Sequence, residues 1–340
     1  MTDVERIVRD VRERGEAALR DWALRLDGVE PARAVPASGL PATELLALAD
    51  AVRRWHALQR PPDARLEIAP GVELERRWIP LRSVGIYVPR GLVSTLVMCA
   101  VPAEVAGVER IVVTTPPAGA GLVAAAAELL GIGEVWALGG PQAVAALAYG
   151  TDSIARVDKI VGPGNAYVNE AKLLVARDVA IDLPAGPSEV AVLAGRDAEP
   201  LVVELELAAQ AEHGPDTRCW LVELDGDTEQ ALAEVESLAP EHVVLLGDDA
   251  EALALRVRNA GAVFVGRWSA VAAGDYATGA NHVLPTGGWA RATGGLGLET
   301  FMKPVTVQRV TRDGLARLRP IVEALAAVEG MPAHAEAVGR

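Results

Sequence analysis

Apolar residues Val4, Ile7, Val8 and Val11 recur at helical spacing, and Ala18, Leu19 and Trp22 extend the same face. The first 28 residues therefore read as one amphipathic helix. A second helix is predicted from residue 42 to about 58, behind the breakers Pro36 and Pro41, with His56 on it. From about Arg82 short apolar runs alternate with Ala-rich helical stretches. Strands are predicted at 83–88, 110–115, 134–138 and 159–161, with helices at 96–106, 119–130 and 141–149 between them. Further strands follow at 179–182, 189–193, 218–222, 243–246 and 262–265, and further helices at 200–213, 228–238 and 250–259. The tail has one apolar run, 305–310, and then helix. Strands separated by helices of about 10–15 residues imply βαβ units, parallel sheets and right-handed crossovers. The unbroken runs IVVTT and AVFVG fit strands covered on both faces.

These units are too many for one sheet. The fold class is α/β, with two doubly wound, Rossmann-like domains. One is an inserted domain, 84–187. The other is discontinuous, 30–83 plus 188–295, and the chain crosses between them at IYVPRG and DLPAGPSEV. Residues 1–29 form an N-terminal helical segment and 296–340 a C-terminal extension.

Composition narrows the function. The chain has 340 residues, 51% of them apolar, which excludes a disordered protein. A net charge of −14 with Lys only at 159, 172 and 303 argues against nucleic-acid binding. Cys99 and Cys219 alone make neither a disulfide framework nor a thiolate zinc site. The charge-dense N-terminus lacks the apolar core of a signal peptide, and no stretch is apolar enough to span a membrane. A soluble, cytoplasmic protein with reduced cysteines is expected. With only five His, any in a motif-like context is informative.

Gln210 and His213 stand one turn apart at the end of a predicted helix, so an amide oxygen and an imidazole could share a metal. Taken alone, the pair is better explained as a helix C-terminus with His near its negative end. Glu241-His242 precedes an apolar strand and provides two groups tunable near neutrality, or simply a charged loop. Asp275 and His282 lie in a Gly-rich stretch without periodicity, 266–297, of a kind that is usually functional or disordered. Glu329 and His334, near the end of the sequence, read by default as solvated. Gly139-Gly140-Pro141-Gln142 and Gly162-Pro163-Gly164-Asn165 each open a helix and could present N–H groups to a phosphate, although neither is a dinucleotide fingerprint. Spacing alone leaves a metal enzyme and an α/β binding protein both open.

Taken together, the segments VGIYVPRG (84–91), GGPQAVAALAYGT (139–151), KIVGPGNAYVNEAK (159–172), IDLPAGPSEV (181–190), AAQAEHGPD (208–216), APEHV (239–243), GDYATGANHVLPT (274–286) and EGMPAHAEAV (329–338) resemble the histidinol dehydrogenase family. The resemblance runs from about residue 5 to the end. It implies a zinc- and NAD-dependent dehydrogenase that converts L-histidinol, through bound histidinal, to L-histidine. The implied zinc ligands are Gln210, His213, Asp275 and His334. The implied substrate contacts are Ser188, His282 and Glu329, with His242 and the metal ligands. Glu241 and His242 would be the catalytic pair, His242 as base on the alcohol and Glu241 activating water for the second oxidation. Tyr87, Gln142 and Asn165 would contact NAD. The family's tail crosses to the partner subunit, so a domain-swapped homodimer is implied, with Glu329 and His334 acting in trans. His56 is left as a structural histidine.

The chain is shorter than typical members, with a trimmed N-terminal segment. Between His213 and Glu241 it holds one predicted strand and one helix where the family has a further strand–helix unit. The missing unit is expected to be peripheral scaffold. A related zinc- and NAD-dependent dehydrogenase of another small polar alcohol is the alternative; Ser188, His282 and Glu329 argue for histidinol. Intact Glu241, His242 and ligand positions argue against a dimer that binds without catalysing.

Overall fold

The computed structural model describes residues 2–184, 186–224 and 226–339. Ala185, inside the joint DLPAGPSEV, lies outside the described residues. The chain forms two compact units, Met1–Gln59 with Leu81–Phe301, and Arg60–Pro80 with Met302–Arg340.

The larger unit contains two sheets. The first has six strands in the order β1 (Ala32–Arg33), β6 (Val135–Ala137), β5 (Arg110–Thr115), β4 (Ser83–Tyr87), β7 (Lys159–Val161) and β8 (Ala180–Ile181). All pairings are parallel except β1 with β6. The chain runs outward one way from β4 and returns on its other side as β7, so the carboxyl ends of β4 and β7 flank a topological switch point.

The helix predicted over the first 28 residues divides into α1 (Asp3–Arg14) and α2 (Glu16–Leu26). Gly15, at φ +59°, takes a backbone form that L side chains avoid. Thr2 and Glu5 form a reciprocal cap at the start of α1. The predicted apolar face packs as expected: Val4, Ile7, Val8, Val11, Leu19 and Trp22 join one core with Leu147 and Val168. Those two residues come from α6 (Gly140–Tyr149) and α7 (Ala166–Val175). α3 (Ala42–Ala57) and α5 (Ala120–Leu129) follow their predicted ranges closely, and α4 (Val93–Ala106) is buried almost all round.

The second sheet is wholly parallel, in the order β10 (Arg218–Leu224), β9 (Glu189–Gly195), β11 (His242–Leu246) and β12 (Ala262–Val265). Its strands alternate between two cores. Leu193, Val243 and Leu245 pack with Ala231, Val235 and Leu253, from α9 (Thr228–Leu238) and α10 (Ala250–Ala254). Val190, Val192, Val244 and Leu246 pack with Val203 and Val271, from α8 (Pro200–Ala211) and α11 (Val271–Tyr276). Helices thus cover both faces, which is why these strands read as uninterrupted apolar runs. α10 stops at Ala254, short of the predicted 259, and α11 is a helix inside the stretch predicted to be irregular.

The smaller unit is an antiparallel sheet in the order β13 (Met302–Val310), β3 (Val72–Pro80) and β2 (Ala64–Ala69), followed by α12 (Arg312–Glu329) and α13 (Pro332–Ala337). The sequence reading places 30–83 with 188–295; residues 64–80 instead pair with the strand near the end of the chain. Pro70-Gly71, with Gly71 at φ +78°, turns β2 into β3. Charged residues on mostly exposed strands hide this hairpin from a search for apolar runs. Among the described residues, no helix is long and apolar enough to cross a membrane.

Candidate active site

The candidate site is organised around the backbone of Glu189, the first residue of β9. Its N–H donates to Glu241 Oε2 at 2.9 Å, and its carbonyl accepts from His242 Nδ1 at 3.0 Å. The neighbours Glu241 and His242 therefore converge on the backbone of one residue, one on each of the peptide groups that flank it. Both are buried, at 6% and 3% exposure. A carbonyl can only accept, so Nδ1 carries the proton and Nε2 presents its lone pair. That Nε2 is buried with no hydrogen-bond partner among the described residues. Burial, with the nearby charges of His213 and His282, pushes the imidazole down to about 4, so it stays neutral over the working range. Burial raises the Glu241 carboxyl to about 8, and the charges of Asp275 and Glu189 add to the shift. The Glu189 N–H and the Ser188 hydroxyl partly oppose it.

The remaining candidates come from α8, α11 and the loop after α11. Gln210, in the last turn of α8, is 2% exposed, and neither amide atom has a partner among the described residues. An amide buried without partners is costly, of order 1–3 kcal/mol, so this position calls for a ligand. The His213 ring turns Nδ1 toward Gln210 O at 3.1 Å. Asp275 is buried on α11. Burial pushes its carboxyl up to about 6, opposed by His213 and reinforced by Glu206. His282 Nδ1 lies 3.1 Å from Asp275 O and its Nε2 3.4 Å from Thr95 Oγ1. Gln210, His213 and Asp275 offer the N/O donors that suit zinc and similar cations, so they fit a metal. Among the described residues, no group of three or more His, Cys, Asp and Glu that could hold a metal ion is assembled. Glu329 and His334 are exposed on the smaller unit, at the end of α12 and on α13.

The other candidates lie at the carboxyl edge of the six-stranded sheet. Tyr87 ends β4, and its hydroxyl accepts from Gly140 N at 3.2 Å; burial pushes it up to about 12. Gln142 is fully buried, with Nε2 donating to Asp27 Oδ2 at 3.1 Å. Asp27 also takes the Gly139 N–H at 3.0 Å. In the Gly139-Gly140-Pro141-Gln142 loop both glycine N–H groups thus have partners within the chain. Asn165 caps α7, accepting from Val168 N at 3.1 Å.

Sequence reasoning missed the groups that act through these. Glu206 takes the N–H of Val271, tying α8 to the first residue of the helix carrying Asp275. Glu189 also holds Gly287 N and pairs with Arg218 at 3.3 Å. Asn281 Nδ2 donates to Met98 O at 2.7 Å and lies 3.3 Å from His56 Nε2. His56, expected to be structural, is buried and holds the loop next to His282. A carboxylate acting on backbone leaves no spacing signature; only its place inside a matched segment, as for Glu189, could have pointed to it.

The histidinol dehydrogenase family model matches residues 1–228 and 224–340, two segments that meet between β10 and α9. The chain is 40% identical to the histidinol dehydrogenase of Pectobacterium atrosepticum over 388 residues, covering 98% of this chain and 88% of the relative. It is also 40% identical to that of Methanothermobacter thermautotrophicus, covering 98% and 91%. The crystal structure of histidinol dehydrogenase from Elizabethkingia anophelis superposes with a TM-score of 0.88 at 32% identity, covering 99% of this chain and 90% of that one.

Proposed function

The chain belongs to the histidinol dehydrogenase family, oxidoreductases of histidine biosynthesis, and we propose that it oxidises L-histidinol to L-histidine in two NAD-dependent steps at a zinc site. The observation that carries the reading is the buried His242 Nε2, a neutral base with its tautomer set and no partner of its own. Gln210, His213 and Asp275 would hold the zinc with His334 from a second copy. Ser188, His282 and Glu329 would add substrate contacts, and Tyr87, Gln142 and Asn165 would contact NAD. When bound, the metal orients the substrate's nitrogens and the nicotinamide accepts hydride.

The chain's own groups then have distinct tasks. His242 Nε2 takes the alcohol proton as hydride leaves the carbon, and Glu189 O steadies the imidazolium through Nδ1–H. Bound histidinal needs water for its second oxidation. Glu241, raised toward neutrality, takes a proton from that water, and the hydrate so formed loses the second hydride. Burial of both groups excludes competing solvent. The helices on both faces of the second sheet support two doubly wound, Rossmann-like halves. The short stretch between β10 and α9, where the two matched segments meet, supports loss of one peripheral strand–helix unit. Reduced Cys99 and Cys219 in a cytoplasmic homodimer go with this reading.

The test is a steady-state assay of purified protein with L-histidinol, NAD and zinc. NADH formation is expected. No NADH, or NADH only with a different small polar alcohol, would overturn the substrate assignment.

A further inference from the structure

We infer that the buried pair Lys172–Asp182 is a positioning device for the cofactor turn Gly162-Pro163-Gly164-Asn165. Both side chains are 1% exposed, and Nζ lies 2.5 Å from Asp182 Oδ1. Lys172, from α7, donates to Gly162 O at 2.8 Å. Asp182, one residue past β8, accepts from Gly162 N at 2.8 Å through Oδ2. The peptide groups on both sides of one glycine are therefore gripped by opposite charges. Gly162 sits at φ +105°, and a Cβ there would stand 2.2 Å from Tyr87 O. The turn is thus pressed against the end of β4, at the switch point where α/β sheets bind their ligands. Beyond it, Asn169 Nδ2 holds Gly164 O at 2.8 Å, and Asn165 caps α7.

A buried ion pair is a poor way to gain stability, since apolar residues of similar volume usually serve as well. What apolar residues cannot supply is a donor and an acceptor aimed at the two peptides of Gly162. The pair touches neither the proposed substrate nor the proposed metal ligands. Its effect should therefore fall on the dinucleotide alone. This inference rests on the proposed NAD role of Tyr87 and Asn165.

The test compares wild type with two double variants, Lys172→Met/Asp182→Leu and Lys172→Met/Asp182→Asn. Removing both partners avoids leaving one charge stranded. NADH binding is read by fluorescence titration, alongside KM for NAD, KM for histidinol, bound zinc and Tm. The Met/Leu variant should fold and keep its zinc and its KM for histidinol. Its NADH dissociation constant and KM for NAD should rise about tenfold or more. The Met/Asn variant, which keeps an acceptor for Gly162 N–H, should recover part of that loss. Unchanged NADH affinity in the Met/Leu variant overturns the inference. So does a parallel loss of zinc and histidinol binding, or failure of both variants to fold, either of which marks a purely structural pair. Wild-type protein that binds no NADH removes the cofactor reading and this inference with it.

Discussion

Glu189 holds the two groups proposed for catalysis with its backbone alone, so its side chain is free to fix Gly287 and Arg218. The proposed catalytic pair is thus anchored on the backbone of the first residue of a central strand, which no side-chain rotamer change at Glu189 can displace. His242→Asn keeps a side chain that can donate to Glu189 O but removes the base. Turnover should fall about 10²–10⁴-fold while zinc content and NADH binding persist; near-normal turnover would place the base elsewhere. Glu241 gives a different signature. Its carboxyl stands at about 8 in the fold against an ordinary 4.5. Below the ordinary value it is protonated whether the chain is folded or not, and it has no effect on stability. Between the two values the unfolded chain ionises while the folded one keeps its proton, so stability falls as pH rises, and the loss levels off above about 8. Metal-free Glu241→Gln should therefore unfold at higher urea than metal-free wild type near pH 8.5, by roughly a few kcal/mol. The two should converge toward about pH 4.5. Parallel curves across that range would show that Glu241 titrates as an exposed carboxylate.

At the scale of elements, legibility followed burial. β7, β12 and α9 match their predicted ranges because their apolar pattern is set by a core on both faces or on one clean face. The hairpin of β2 and β3 escaped because Arg65, Glu67, Glu73, Glu75 and Arg77 dominate strands that have little core to face. α11 escaped because its six residues, VAAGDY, are too few to show a period, and its start is set by Glu206, a residue far away in the sequence. The site was legible as a set of types, His, Gln, Asp and Glu, whereas the convergence of Glu241 and His242 on Glu189 depends on β9 pairing with β11. The turns at 139–142 and 162–165 show the same limit, since their glycines look alike in sequence but serve contacts that only the fold reveals. Gly162→Ala would set a methyl against Tyr87 O in a backbone form that already disfavours it. Gly131, at φ +74°, has open space around its Cβ position and isolates the backbone effect. Gly131→Ala should cost about 1 kcal/mol and Gly162→Ala several, so the second should melt several degrees lower than the first. Equal melting temperatures would mean that the turn relaxes away from Tyr87.

At the scale of the whole molecule, the proposed ligands are divided between units: Gln210, His213 and Asp275 in the larger, His334 exposed in the smaller. The proposed homodimer makes a prediction that separates a shared site from a self-contained one. Take His213→Ala and His334→Ala, each expected to lose stoichiometric zinc and activity on its own. If every site draws His213 from one subunit and His334 from the other, a mixed dimer has one site carrying both lesions and one carrying neither. If each site is built from a single chain, every site in the mixed dimer keeps one lesion. Equal amounts dissociated and reassociated at random give half mixed dimers, so activity should return to about a quarter of wild type with zinc in proportion. Each variant taken through the same procedure alone should stay inactive, which excludes recovery by refolding. Mixtures that remain as inactive as their components would show that His334 does not serve a neighbouring subunit's site.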